Sequence, residues 1–156
     1  MLETIPLLEA CVKEALRVAA PARGRHPRVV PPGGWTYKGR YLPEGTIISG
    51  STMFHCLDPA VYLEPLEFRP ERWLVQDSKS MQQSLVPFSH GSRSCIGQNL
   101  AKAELFIGIS QVVMNLDPGE CLDSSLDYSE YSGITFPTTL VKVTLRPRKK
   151  DPDELQ

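Results

Sequence analysis

The densest chemistry in this chain lies in Phe88-Ser89-His90-Gly91-Ser92-Arg93-Ser94-Cys95-Ile96-Gly97, which runs straight into a long apolar stretch beginning near Gln98. A thiol must ionise before it binds a metal or attacks an electrophile. A cysteine just ahead of a helix meets unpaired backbone N–H groups and the positive end of the helix dipole, and both favour negative charge. Gly91 and Gly97 carry no side chain, so a flat macrocycle can approach the backbone closely on either side of the sulfur. Phe88 is spaced to cover the sulfur from water, and Arg93, two residues before it, can pair with an anionic substituent of the same group. The plain alternative is a buried free cysteine, the usual fate of an isolated Cys, and it serves for Cys11, Cys56 and Cys121. It does not account for the glycines, the arginine and the aromatic ring at these spacings. Cys95 is therefore the candidate metal ligand.

Two further charged constellations precede it. Glu14-Ala15-Leu16-Arg17 sets opposite charges three residues apart on a helix, which alone is common on solvated faces and is worth about 0.2–0.5 kcal/mol. Phe68-Arg69-Pro70-Glu71-Arg72-Trp73 supplies more charge, after Asp58-Pro59-Ala60-Val61-Tyr62. His26, His55 and His90 lack the short repeated spacing of a zinc site and read as loop or surface residues. Neither a G-x-S-x-G nor a G-x-x-x-x-G-K segment occurs, which gives no support to a serine triad or a phosphate-cradling loop. With 17 Lys+Arg against 18 Asp+Glu, the formal charge of −1 offers no basic field for nucleic acid.

The elements that must position these residues follow from periodicity and punctuation. Thr4 to about Ala19 predicts a helix capped by Thr4 and stopped by Pro21, with Leu8, Cys11, Val12, Ala15 and Val18 on its buried arc and Glu14 and Arg17 on the flank. Residues 20–34 are rich in Pro, Gly and Arg, and lead into short strands around Trp35-Thr36-Tyr37, a Lys38-Gly39 turn, and Ile47-Ile48. Asp58-Pro59 opens a helical turn, after which Pro65, Pro70 and Pro87 predict loop as far as Ser94. Gln98 to Leu116 is the clearest helix, apolar around much of its circumference and so expected to be buried on most sides in a larger core. An acidic loop follows Pro118-Gly119, then a strand over 140–145 and a charged tail containing Arg146, Arg148, Lys149 and Lys150. The chain's 156 residues fit one domain. Scattered cysteines point to a reducing environment, and no apolar run reaches the length of a membrane span.

Taken together, the loop containing Cys95 resembles the cysteine-loop signature of the cytochrome P450 family. Glu14-x-x-Arg17 and the segment 68–73 are similar to that family's ExxR and Pro-Glu-Arg-Phe segments, in the same order, with Trp73 where the family more often has Phe. Trp73-Leu74 and Phe88-Ser89 look like fungal microsomal members. The resemblance implies a mainly α fold with small irregular β regions, the C-terminal part of the cytochrome P450 fold. Residues 1–156 would be the C-terminal portion of the haem domain, from ExxR helix to final helix and strands, with the N-terminal two thirds absent and Met1 marking a truncated gene model or an expressed fragment. It implies Cys95 as the thiolate ligand of haem b (iron protoporphyrin IX), with Phe88, Gly91, Arg93 and Gly97 contacting the haem. Arg28, in Pro27-Arg28-Val29-Val30, stands where the family often offers a second propionate partner. Glu14, Arg17 and Arg72 would form a buried ionic network locking the cysteine loop. The segment 20–30 and the Phe136-Pro137 turn would border the substrate pocket.

The implied activity is a monooxygenase that inserts one oxygen atom from O2 into a small organic substrate, with electrons from an NADPH-dependent reductase. The full-length protein would sit on the cytosolic face of the endoplasmic reticulum through an N-terminal anchor that this chain does not contain. The helix that delivers protons to dioxygen would also be missing, so turnover by the chain alone is not expected. The rival reading is an inactive remnant or interaction protein that packs through its apolar helix.

Overall fold

The computed structural model describes residues 2–121 and 143–148. A 3-10 turn over Leu2–Thr4 leads into helix α1, Pro6–Ala19. The cap is Ile5, not Thr4, and no side chain caps the helix. Pro6 decides this: it forces the residue before it out of the helical region, and Ile5 has φ −87° and ψ 105°. The helix ends where Ala20, ahead of Pro21, turns left-handed at φ 37° and returns its N–H to the Leu16 carbonyl. Of the predicted arc, Val12 and Val18 are buried while Leu8, Cys11 and Ala15 are only half-buried. Glu14 and Arg17, expected on the flank, are fully buried. The most enclosed face of α1 is thus its ion pair, because the segment 56–73 wraps around it.

Strand β1 (His26–Val29) pairs antiparallel with β4 (Ile47–Gly50), and between them β2 (Trp35–Tyr37) and β3 (Arg40–Leu42) form a hairpin. Its turn is Lys38-Gly39, both at positive φ (49° and 77°), the pattern of a type I′ turn whose twist matches the strands. Helix α2 (Thr52–Cys56) lies in a stretch for which no element was expected, and helix α3 (Lys79–Ser84) in one expected to be loop. Between them run an Asx turn, in which Ala60 N–H donates to Asp58 Oδ1 at 2.9 Å, and a 3-10 turn over Pro70–Trp73. The small core gathers Ala10, Tyr62 and Trp73 with Val61, Met81 and Leu85 around them. The Tyr62 hydroxyl donates to the Met81 carbonyl at 2.6 Å and so ties α3 to this core.

Helix α4 spans Gln98–Asn115 and is followed directly by β5 (Leu116–Cys121), where a loop was expected. β5 pairs antiparallel with β6 (Val143–Pro147), with an irregularity between Pro118 and Cys121. The predicted strand over 140–145 is met at Val143–Leu145, while 140–142, the Phe136-Pro137 turn, Lys149 and Lys150 lie outside the described residues. Arg148 is more than a charged tail: its backbone N–H donates to the Asn115 carbonyl at 2.9 Å and its guanidinium to the Val113 carbonyl at 2.9 Å, which satisfies the end of α4.

The expectation that α4 is buried on most sides is not met. Phe106 alone is buried, and Leu100, Ile107, Val113 and Met114 are each more than half exposed. Within the described residues α4 has one long neighbour, α1, so one face is covered and the others meet solvent. Helices together with three two-stranded antiparallel sheets agree with the expected mainly α chain with small β regions.

Candidate functional site

A single backbone clasp shapes the loop ahead of α4. Cys95 N–H donates to the Phe88 carbonyl at 2.8 Å, so the chain leaves and returns to one point. Inside the clasp Ser94 N–H donates to Gly91 O at 3.0 Å and 91–93 form one 3-10 turn, while Ser89 N–H reaches back to Val86 O, just before it, at 3.0 Å. Gly91 has φ +77°, where a side chain would be strained; that is its requirement here, since a Cβ there would meet nothing within 4 Å. Gly97 is different. It has ordinary φ, and a Cβ built on it would lie 3.9 Å from Cys95 Sγ, an ordinary contact. The fold itself does not demand glycine at 97, so the bare backbone there leaves room beside the sulfur.

Cys95 is exposed, Ile96 is fully exposed beside it, and Leu100 is 65% exposed one turn into α4. Cys95 is thus open to a ligand, on a stretch that also exposes two apolar residues. Phe88 is half-buried and borders the groove between α1 and α4. Arg93 is exposed at the end of the 3-10 turn. Arg28 is exposed on β1, and its guanidinium donates to the Pro27 carbonyl at 2.8 Å. It borders a cleft that Ser89 and His90 of the loop also line. Of the other thiols, Cys56 is fully buried, and burial pushes its pKa up, whereas Cys11 is half-buried.

Among the described residues no three His, Cys, Asp or Glu side chains gather to hold an ion. A prosthetic ring that brings the remaining ligands of a metal would suit a soft, exposed sulfur such as that of Cys95.

Glu14, Arg17 and Arg72 meet in one charged network, which Trp73 also enters, and its bonds run between α1 and the segment 56–73. Glu14 Oε1 accepts from Arg17 at 2.8 Å and Arg72 Nε at 3.0 Å, and from the backbone N–H of Arg69 at 2.8 Å. Its Oε2 accepts from Arg17 Nε at 2.9 Å and from the indole N–H of Trp73 at 2.8 Å. Arg17 also donates to the carbonyls of Cys56, Pro65 and Glu67, and Arg72 to that of Leu63. Trp73 is the member that sequence reasoning missed. The available signal was chemical: a buried indole N–H needs an acceptor. Burial by itself raises the Glu14 pKa, but the hydrogen bonds from Arg17, Arg69 and Trp73 and the Arg17 charge outweigh it and hold the carboxyl below its ordinary value.

Comparison with known proteins bears on this arrangement. The profile of the cytochrome P450 family matches residues 1–145. The chain is 44% identical over 113 residues to the cytochrome P450 monooxygenase aneF of Aspergillus aculeatus, covering 72% of this chain and 23% of that protein. It is 35% identical to the monooxygenase asqL of Emericella nidulans, covering 91% of this chain and 34% of that one. It is 44% identical over 104 residues to the fusicoccadiene C-8 hydroxylase of Phomopsis amygdali, covering 67% of this chain and 20% of that enzyme. The chain thus spans between a fifth and about a third of the length of these curated relatives.

Proposed function

This chain belongs to the cytochrome P450 family, and from that premise we propose that Cys95 is the thiolate ligand of a haem b and that residues 1–156 correspond to the C-terminal portion of the haem domain of a monooxygenase. The observation that carries the reading is the exposed Cys95 on a clasped loop, with bare backbone at Gly97 beside the sulfur. When bound, a thiolate-ligated haem supplies activation of dioxygen, because the sulfur pushes electron density towards the iron and favours O–O cleavage.

The chain's own residues then have distinct tasks. The Cys95 N–H to Phe88 O bond fixes where the sulfur stands, and Gly91 lets the loop turn inside that bond. Ile96 and Leu100 offer the apolar surface a macrocycle needs, and Gly97 keeps its approach clear. Arg93 and Arg28 provide guanidinium groups for the propionates. Glu14, Arg17, Arg72 and Trp73 fasten α1 to the segment 63–73, a structural role. The complete protein takes a small organic substrate and electrons from an NADPH-dependent reductase on the endoplasmic reticulum membrane. No helix among the described residues is long and apolar enough to cross a membrane. A second reading, an interaction protein without turnover, is favoured by the exposed apolar faces of α4.

The test is to load the purified chain with haem and record its reduced, carbon-monoxide-bound spectrum. A thiolate-type band that disappears in Cys95→Ser supports the reading; haem uptake indifferent to Cys95→Ser, or no uptake, overturns it. Turnover with added reductase is expected to be undetectable, because the chain covers so small a share of its active relatives.

A further inference from the structure

The buried charged network stops short of the loop that carries Cys95. Among the described residues, the side-chain bonds of Glu14, Arg17 and Arg72 stay between positions 14 and 73, whereas the clasp on Cys95 closes at Phe88. We propose that Cys56 is the positioning residue that joins the two: it meets the network through its carbonyl and the turn at 86–89 through its sulfur, and so sets where Cys95 stands. The inference rests on the Cys95 reading above only for its consequence at the haem.

Three observations carry it. Cys56 closes α2 with no exposed surface, and its carbonyl accepts from Arg17 at 3.1 Å. Its sulfur takes a backbone hydrogen bond from Val86, and burial keeps it a neutral thiol, which can still accept weakly. Beyond Val86 the chain has little freedom. Pro87 stiffens the turn in which Ser89 N–H returns to the Val86 carbonyl at 3.0 Å. Ser89 is held there at φ 64°, a left-handed conformation that a residue with a side chain keeps only when its surroundings fix it. Between these fixed points lies Phe88, whose carbonyl accepts the Cys95 N–H at 2.8 Å. An anchor at Val86 is therefore felt at the clasp. The plain alternative is that Cys56 only fills space, in which case an apolar side chain of similar volume would serve equally well.

Amide hydrogen exchange in the haem-free chain separates the two. Cys56→Val keeps an apolar side chain and removes the acceptor, while Cys56→Ser keeps an acceptor. In Cys56→Val the amides of Val86, Ser89 and Cys95 are expected to exchange about three- to tenfold faster, with those of Val12 and Leu16 in α1 unchanged. Cys56→Ser restores most of the protection. Cys56→Ala gives the same comparison should the valine variant not fold. Acceleration spread equally over α1 and the loop, acceleration confined to Val86, or equal protection in all variants overturns the inference. With haem loaded, part of the reduced, carbon-monoxide-bound band should leave its thiolate-type position in Cys56→Val and not in Cys56→Ser; an unshifted band in Cys56→Val overturns it as well. Failure of the Cys95 reading would be seen separately, as a wild-type chain with no thiolate-type band, and the exchange comparison would stand without it.

Discussion

Glu14 accepts five hydrogen bonds through two oxygens, and two arginines share its single negative charge. With Arg17 and Glu14 both fully buried, removing the carboxylate would leave a guanidinium charge in the interior with no counter-charge, facing backbone carbonyls and the Tyr62 ring. Glu14→Gln is therefore expected to cost about 3–5 kcal/mol, a large part of a small domain's stability, read as a fall in urea midpoint. Glu9 makes a 2.8 Å pair with Lys13 that solvent still reaches, and Glu9→Gln should change stability by less than about 0.5 kcal/mol. Equal effects of the two would show that burial is not what gives the Glu14 network its weight. The sign of the pH dependence follows from the depressed Glu14 pKa. Its contribution is complete above the unfolded carboxyl's value of roughly 4.3, and drains away as the pH falls through the lower folded value. Acidification in that range should destabilise the wild-type chain more steeply than Glu14→Gln.

At the scale of elements, short helices depend on their ends more than on their length. α2 has five residues, too few to be stable by propensity, and its entrance rests on Ser51. The Ser51 hydroxyl accepts from Met53 N–H at 3.2 Å and donates to the Arg23 carbonyl. Ser51→Ala should cost about 1–2 kcal/mol and speed hydrogen exchange at Met53 and Phe54 above the rest of the chain. Unchanged protection there would mean that packing of Thr52 and Cys56, both buried, holds the helix without its cap. This dependence also explains what was legible beforehand. α1 and α4 declared themselves through periodicity over 14 and 18 residues, and the β2–β3 turn through Lys38-Gly39. α2 and α3, at five and six residues, are shorter than two turns, and their apolar pattern cannot be told from loop. Of the candidate site, Cys95 and its glycines were legible as types at a spacing. The inclusion of Trp73 was not, because it is set by Glu14, a residue distant in sequence.

For the whole molecule, the distribution of apolar surface matters most. Buried hydrophobic residues collect where α1 meets the segment 62–73, whereas α4, apolar around most of its girth, covers one face against α1 and leaves the rest in solvent. Between α1 and α4 lies an apolar groove of about 750 Å³, walled by Ala15, Leu16 and Ala19 on one side and Leu105, Ile109 and Val112 on the other. Contiguous apolar surface of this kind drives self-association in a soluble chain. We expect the chain to bind a hydrophobic dye in its native state and to show concentration-dependent light scattering. Ile107 and Val113 are 55% and 57% exposed, so Ile107→Lys combined with Val113→Lys removes association while shifting the unfolding midpoint by less than about 0.5 kcal/mol per site. If the double variant instead unfolds, then the α4 faces open in this structure are held by contacts in solution, and the helix owes its stability to more than Phe106 and the Arg148 cap.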